Sequence, residues 1–171
     1  MAPLLFLLIT TLAVYAVGRF SPAATRHGLD TWPVAIRFGL AVMFVVTGIS
    51  HFASMREALI DMAPPWLPAA AALVTATGVL ELLGAFGLPL RQTRPWATGG
   101  LGLMPIVMFP ANVHLALTGE NLRWGDQLVP RTLMQAVFLA AVLAVLIPEI
   151  RTQRGARRQH APDATSKPSA L

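Results

Sequence analysis

Cysteine is absent from this chain of 171 residues. That excludes disulfide staples, thiolate metal sites and CxxC dithiol chemistry within it. Charge is scarce as well. Only 12% of the residues are charged and 55% are hydrophobic, where a soluble domain typically carries roughly 25% charged residues. The apolar runs do not alternate, which excludes a transmembrane barrel built from strands of about ten alternating residues. No repeat of fixed period is present. The net charge of +5 does not indicate nucleic acid, because much of the basic excess lies in the tail after Pro148.

What the chain has is apolar length. Five hydrophobic segments can be read: Leu4–Val17, Pro33–Phe52, Leu67–Leu88, Trp96–Leu117 and Leu128–Ile147. Segments near 20 residues span a bilayer as helices. The expected fold class is therefore all-α: a polytopic membrane protein with a four-helix transmembrane core plus an N-terminal transmembrane helix. The first segment has the length of a signal peptide. No Lys or Arg precedes it, however, and Arg19 and Arg26 follow it, whereas a secretory signal carries its positive charge in front. It reads as a retained helix. The organisation expected is residues 1–27 as N-terminal helix and linker, 28–150 as the membrane domain and 151–171 as a disordered basic tail closed off by Pro148.

Loop charge sets an orientation. With five spans and the N-terminus outside, nine Lys and Arg residues fall on the cytoplasmic side and three outside. The three are Arg56, Arg123 and Arg131. The positive-inside rule then places the C-terminus in the cytoplasm. The acids Glu57, Asp61, Glu120 and Asp126 also fall outside, and acids contribute little to orientation.

Two charges interrupt the apolar runs, Arg37 and Glu81. A charge at mid-bilayer costs about 2.5–3.5 kcal/mol on insertion scales and usually has a partner or a task. By helical rise, Arg37 lies roughly 6 Å and Glu81 roughly 10 Å from the cytoplasmic face. An interhelical Arg37–Glu81 ion pair is expected. A second polar layer, of His51, Asn112, His114 and Gln135, gathers within roughly 10 Å of one level near the outer face. Such a layer offers hydrogen bonds to a quinone carbonyl, a proton or a metal, or serves as an interfacial seam. Two histidines are too few for a zinc site, so no metal is assigned, and no catalytic set is read. Pro110 should kink the fourth segment and aim Asn112 and His114 inward. Ala136, Ala140 and Ala144 form a stripe of small residues suited to helix packing.

Together these residues resemble the DoxX-like family of small bacterial membrane proteins. The resemblance runs through Arg37, then Gly48-Ile49-Ser50-His51-Phe52 and Pro64-Pro65-Trp66-Leu67-Pro68. It continues through Thr77-Gly78-Val79-Leu80-Glu81-Leu82-Leu83-Gly84-Ala85, Gly87-Leu88 and Thr93-Arg94, and ends at Phe109-Pro110-Ala111-Asn112-Val113-His114. It covers about residues 33–148. The resemblance implies a four-helix core in the bacterial inner membrane. It also implies either a quinone-linked redox accessory subunit, with a membrane or redox protein partner, or a non-enzymatic scaffold or assembly factor, with self-association as a further option. The lack of cysteine removes a persulfide intermediate from either role. A proton or solute path through Arg37 and Glu81 is a third reading, weakened because no acidic relay joins the two polar levels.

Overall fold

The computed structural model describes residues 2–26, 28–53, 55–119, 124 and 127–159. The loop residues Glu120, Arg123 and Asp126 and the tail from 160 onward lie outside the described residues. The elements are α1 (Ala2–Phe20), α2 (Pro22–Arg26), α3 (Trp32–Ser50), α4 (Arg56–Asp61), α5 (Ala70–Gly87), α6 (Arg94–Thr118) and α7 (Leu128–Gln159). No strand occurs among the described residues. Five helices, α1, α3, α5, α6 and α7, are long and apolar enough to cross a membrane. The protein is an all-α polytopic membrane protein.

The exterior confirms the solvent. Large apolar side chains such as Ile9, Leu83, Phe86 and Val107 are more than 60% exposed. In water such a surface would drive aggregation; in lipid it is matched. The interior is comparatively thin. Leu40, Met43, Leu88, Leu101 and Thr98 are fully buried, where α3 meets α5 and α7 and where α5 meets α6.

Glycines bring the helices together. A Cβ on Gly39 of α3 would overlap the Thr11 hydroxyl and come within 2.8 Å of the Leu7 carbonyl oxygen on α1. On the α3–α5 seam, a Cβ on Gly48 would lie 2.8 Å from Leu82, and one on Gly78 would lie 2.6 Å from the Cβ of His51. Gly84 and Gly102 seat Leu101 and Val142 in the same way, joining α5 to α6 and α6 to α7. Without a hydrophobic driving force between helices in lipid, such close approach is a main source of association. The α1–α3 seam is also held at its far end, where Tyr15 stacks on Trp32 with ring centroids 4.2 Å apart.

Three prolines, Pro105, Pro110 and Pro148, were expected to interrupt or close helices, and none stops one. α6 runs from Arg94 to Thr118 through Pro105 and Pro110, and α7 runs through Pro148 to Gln159. The expectation that Pro148 closes the last helix, with disorder from residue 151, is thus corrected: residues 151–159 are helical. A proline removes one intrahelical bond, but the turns beyond can be held by other groups. Here Arg94 grips Glu149 at 3.2 Å, and the Thr152 hydroxyl donates to the Pro148 carbonyl at 2.9 Å.

Gly39→Ala should lower the thermal midpoint in detergent, by a cost of about 1–3 kcal/mol for overpacking. Gly100→Ala is the matched control, since nothing lies within 4 Å of a Cβ there. It should be neutral or stabilising, because alanine is favoured over glycine in a helix by about 0.5–1 kcal/mol. Equal midpoints for the two variants would refute the close α1–α3 seam.

Candidate functional site

A cavity of about 630 Å³ opens between the helices at the α4 end of the bundle. It is lined from α1 by Ala2 and Pro3, from α3 by Thr47 and His51, and from α5 by Glu81. α6 and α7 contribute Asn112, Arg131 and Gln135. Met55, Leu59 and Met62, in and beside α4, line it as well. Ligand sites commonly measure about 300–1,000 Å³ and combine apolar walls with a few placed polar groups. This cavity has both.

One wall carries the His51–Glu81 pair. His51 caps the C-terminus of α3 and lies over the bare face of Gly78. Its Nδ1 sits 2.9 Å from the Thr47 carbonyl oxygen. A carbonyl only accepts, so Nδ1 carries the hydrogen and donates. That assignment leaves Nε2 as the variable nitrogen: a lone pair in the neutral ring, an N–H in the cation. Nε2 is buried and has no hydrogen-bond partner among the described residues. The Glu81 carboxyl lies one turn along α5 from Gly78, with Oε2 3.8 Å from His51 Nδ1. The Thr47 hydroxyl is in hydrogen-bonding reach of the same carboxyl. Oε2 itself is buried and accepts no hydrogen bond. His51 and Glu81 are 5% and 6% exposed. Buried polar atoms are rarely left unpaired without a reason.

The opposite wall is a cross-link between α6 and α7. An Arg131 amino group donates to the Asn112 side-chain carbonyl, and a second lies 3.8 Å from the Met62 sulfur. Gln135 Nε2 donates to the Pro105 carbonyl at 3.3 Å. The kinking helix and the amide expected to share its level are thereby joined. Between the two walls lie methionines: every methionine after Met1 lines this one cavity.

The structure rearranges the sequence-based assignments. Of the expected layer, His51, Asn112 and Gln135 line the cavity and His114 does not. His114 follows Asn112 by two residues, a rotation of roughly 200° around a helix, so a shared depth did not mean a shared face. Glu81 was expected to pair with Arg37; its carboxyl lies beside His51 instead, 3.8 Å from Nδ1. The reason is register. The Gly48–Leu82 and Gly78–His51 contacts set Glu81 level with Thr47, about 15 Å along α3 from Arg37 at the usual rise. Arg37 sits at the other end of the bundle, 5.4 Å from the Phe38 ring centroid and in the electrostatic surroundings of Arg94, Glu149 and Arg91. Arg131 and the methionines escaped the sequence reading. Arg131 counted only as a loop charge, and the methionines follow no common spacing.

The pairing has a measurable consequence. In a double-mutant cycle on thermal stability, His51→Gln and Glu81→Gln should couple by about 0.5–3 kcal/mol, as contacting residues do. Arg37→Gln and Glu81→Gln should add within about 0.5 kcal/mol, as distant residues do. Coupling in the second cycle and none in the first would reverse the assignment.

No curated protein and no solved structure matches the chain. One family model does, over residues 40–146, from the middle of α3 to the end of the apolar part of α7. That range is more than half of the chain and contains His51, Glu81, Asn112, Arg131 and Gln135. The chain belongs to the family described as a domain of unknown function, DUF8561.

Proposed function

We propose that this chain is a multi-pass inner-membrane protein of the DoxX-like type whose cavity holds a quinone-class ligand for a redox partner. The observation that carries the reading is the buried His51–Glu81 pair: both residues line a cavity of about 630 Å³, and their Nε2 and Oε2 have no hydrogen-bond partner among the described residues. A ligand entering from lipid must bring a hydroxyl, as a reduced quinone does, or accept from a protonated Nε2 or carboxyl, since a buried polar atom left unsatisfied costs about 1–3 kcal/mol. The remaining lining suits a planar ring, because methionine adapts its shape and its sulfur contacts aromatic faces.

The family match names DUF8561 alone; kinship with DoxX-like proteins rests on the sequence resemblance. The orientation, N-terminus outside and C-terminus cytoplasmic, rests on the nine-to-three distribution of loop Lys and Arg. In that orientation the α4 end faces outward, and so does the cavity. A bound quinone supplies two-electron, two-proton redox chemistry. The chain's own residues hold its oxygens. His51 Nε2 takes one end as acceptor or donor according to its protonation, and Glu81 beside it exchanges the proton. The Asn112 amide, fixed by Arg131, offers a donor on the other wall.

A second reading has its own support. Gly99 and Gly100 form an exposed face on α6 with nothing within 4 Å of either missing side chain. Such a face admits another helix at close range, as a scaffold or a self-associating subunit would need.

Protein purified in mild detergent should carry quinone. His51→Ala and Asn112→Ala should each lower the bound amount by about tenfold or less, since one hydrogen bond to a neutral oxygen is worth about 0.5–1.5 kcal/mol net. His114→Ala should leave it unchanged, because that side chain is outside the cavity lining. Quinone-free protein that copurifies with a stoichiometric partner, and loses it on Gly100→Leu, would decide for the scaffold.

A further inference from the structure

We infer that the cavity is also a site for a soft monovalent metal, Cu(I) or its surrogate Ag(I), held by His51 Nε2 and methionine sulfurs. The inference stands on sulfur chemistry and does not depend on the quinone reading. It begins with the clustering already described: the methionines of α3, α6 and α7, and those flanking α4, all line the one cavity that holds the buried histidine.

The register of the helices narrows the sulfurs. Gly84 meets Leu101 and Gly87 meets Ala97 across the α5–α6 seam. Counting back along both helices brings Glu81 level with Met104, and Gly78, with His51 upon it, just below Met108. The Gly102–Val142 contact and the Gln135–Pro105 bond set the α6–α7 register. They bring Met134 to the level of Met108. Met104 and Met108 are four residues apart, which places them on one face of α6. Among the methionines of the spanning helices, those nearest the level of His51 are therefore Met104, Met108 and Met134, while Met55 follows His51 by four residues and lines the same cavity. Met43 lies about two turns deeper on α3 and is part of the buried core. Met62 already meets the Arg131 guanidinium.

The histidine is prepared for a metal. A ligating imidazole usually donates its other N–H to a carbonyl or carboxylate, which fixes the ring and the tautomer. His51 does this through Nδ1 to the Thr47 carbonyl at 2.9 Å, with the Glu81 carboxylate 3.8 Å from the same nitrogen. In the neutral ring this leaves the Nε2 lone pair buried and unused. Thioethers select soft ions. No group of three or more His, Cys, Asp or Glu that could hold a harder ion occurs among the described residues.

The test uses the full chain in detergent, with Cu(I) delivered from a chromophoric chelator under reducing, anaerobic conditions. One Cu(I) should bind per chain, Ag(I) should displace it, and excess Zn(II) should not. X-ray absorption at the copper edge should show sulfur scatterers. Met108→Leu with Met134→Leu keeps core volume and should weaken binding by about tenfold or more, the scale on which even outer-shell changes act at metal sites. Glu81→Gln should weaken it by a similar factor, and His114→Ala not at all. Stoichiometric binding that survives the methionine changes, a shell of nitrogen and oxygen only, or no copper retained against the chelator would each overturn the site.

Discussion

The close approach of α3 and α5 is the constraint on which the rest depends. Gly48 and Gly78 let the two helices meet at distances a side chain would forbid. That contact fixes their register. Slide α5 by one turn and Glu81 loses His51, while His51 loses the bare surface it rests on. A buried carboxyl in the apolar part of a bilayer tolerates no such slip, because the isolated charge is costly. The glycines and the ionisable pair therefore enforce one another. Packing sets the register, and the register supplies the carboxyl with its neighbour.

The two ends of the bundle then divide the labour. At one end, His51 Nε2 and Glu81 Oε2 are buried with no hydrogen-bond partner among the described residues. At the other, Arg37 Nε is buried without one too, while Arg94 engages all three of its side-chain nitrogens: it pairs with Glu149, and it donates to the carbonyls of Leu88 at the end of α5 and of Pro89 just beyond. Arg94, the first residue of α6, thereby ties α6 to α5 and to α7. The cavity end has ties of its own, through Arg56 to Thr75 at 3.1 Å, the Arg131–Asn112 bond and the Gln135–Pro105 bond at 3.3 Å, and the residues of the last two bonds frame the cavity instead of closing it.

The fold was legible because the bilayer imposes it. Apolar length located α1, α3, α5 and α6 to within a few residues, and the start of α7 but not its polar extension beyond Ile147, since a helix satisfies its own backbone in lipid. The site was legible in part. His51, Asn112 and Gln135 were found from depth, which helical rise makes computable. Depth cannot report azimuth, and His114 was included for that reason. It also assumes that helices end on a common plane. α3 begins well beyond the level at which α5 stops, so matching ends brought Arg37 to Glu81 when the true match was His51. Only the glycine contacts carry that offset, and they are tertiary. Arg131 was hidden differently. It lies in the first turn of α7 behind Pro130, where a sequence reading takes it for an outer-loop charge.

The methionines were the least legible part and change most what the cavity is able to hold. Each one, taken singly, is an ordinary apolar residue in an apolar helix. Leucine would fill the same volume at a cost usually below about 1.5 kcal/mol, so packing alone gives little reason to gather methionine on one surface. What methionine adds is a flexible thioether, polarisable and able to donate a lone pair. Gathered around an imidazole whose Nε2 has no hydrogen-bond partner among the described residues, that property is concentrated where the protein has left coordination capacity unused. The polar residues say that something polar is received here. The sulfurs narrow its character to a soft or aromatic one, and they do so through chemistry that a hydropathy scale counts merely as hydrophobic.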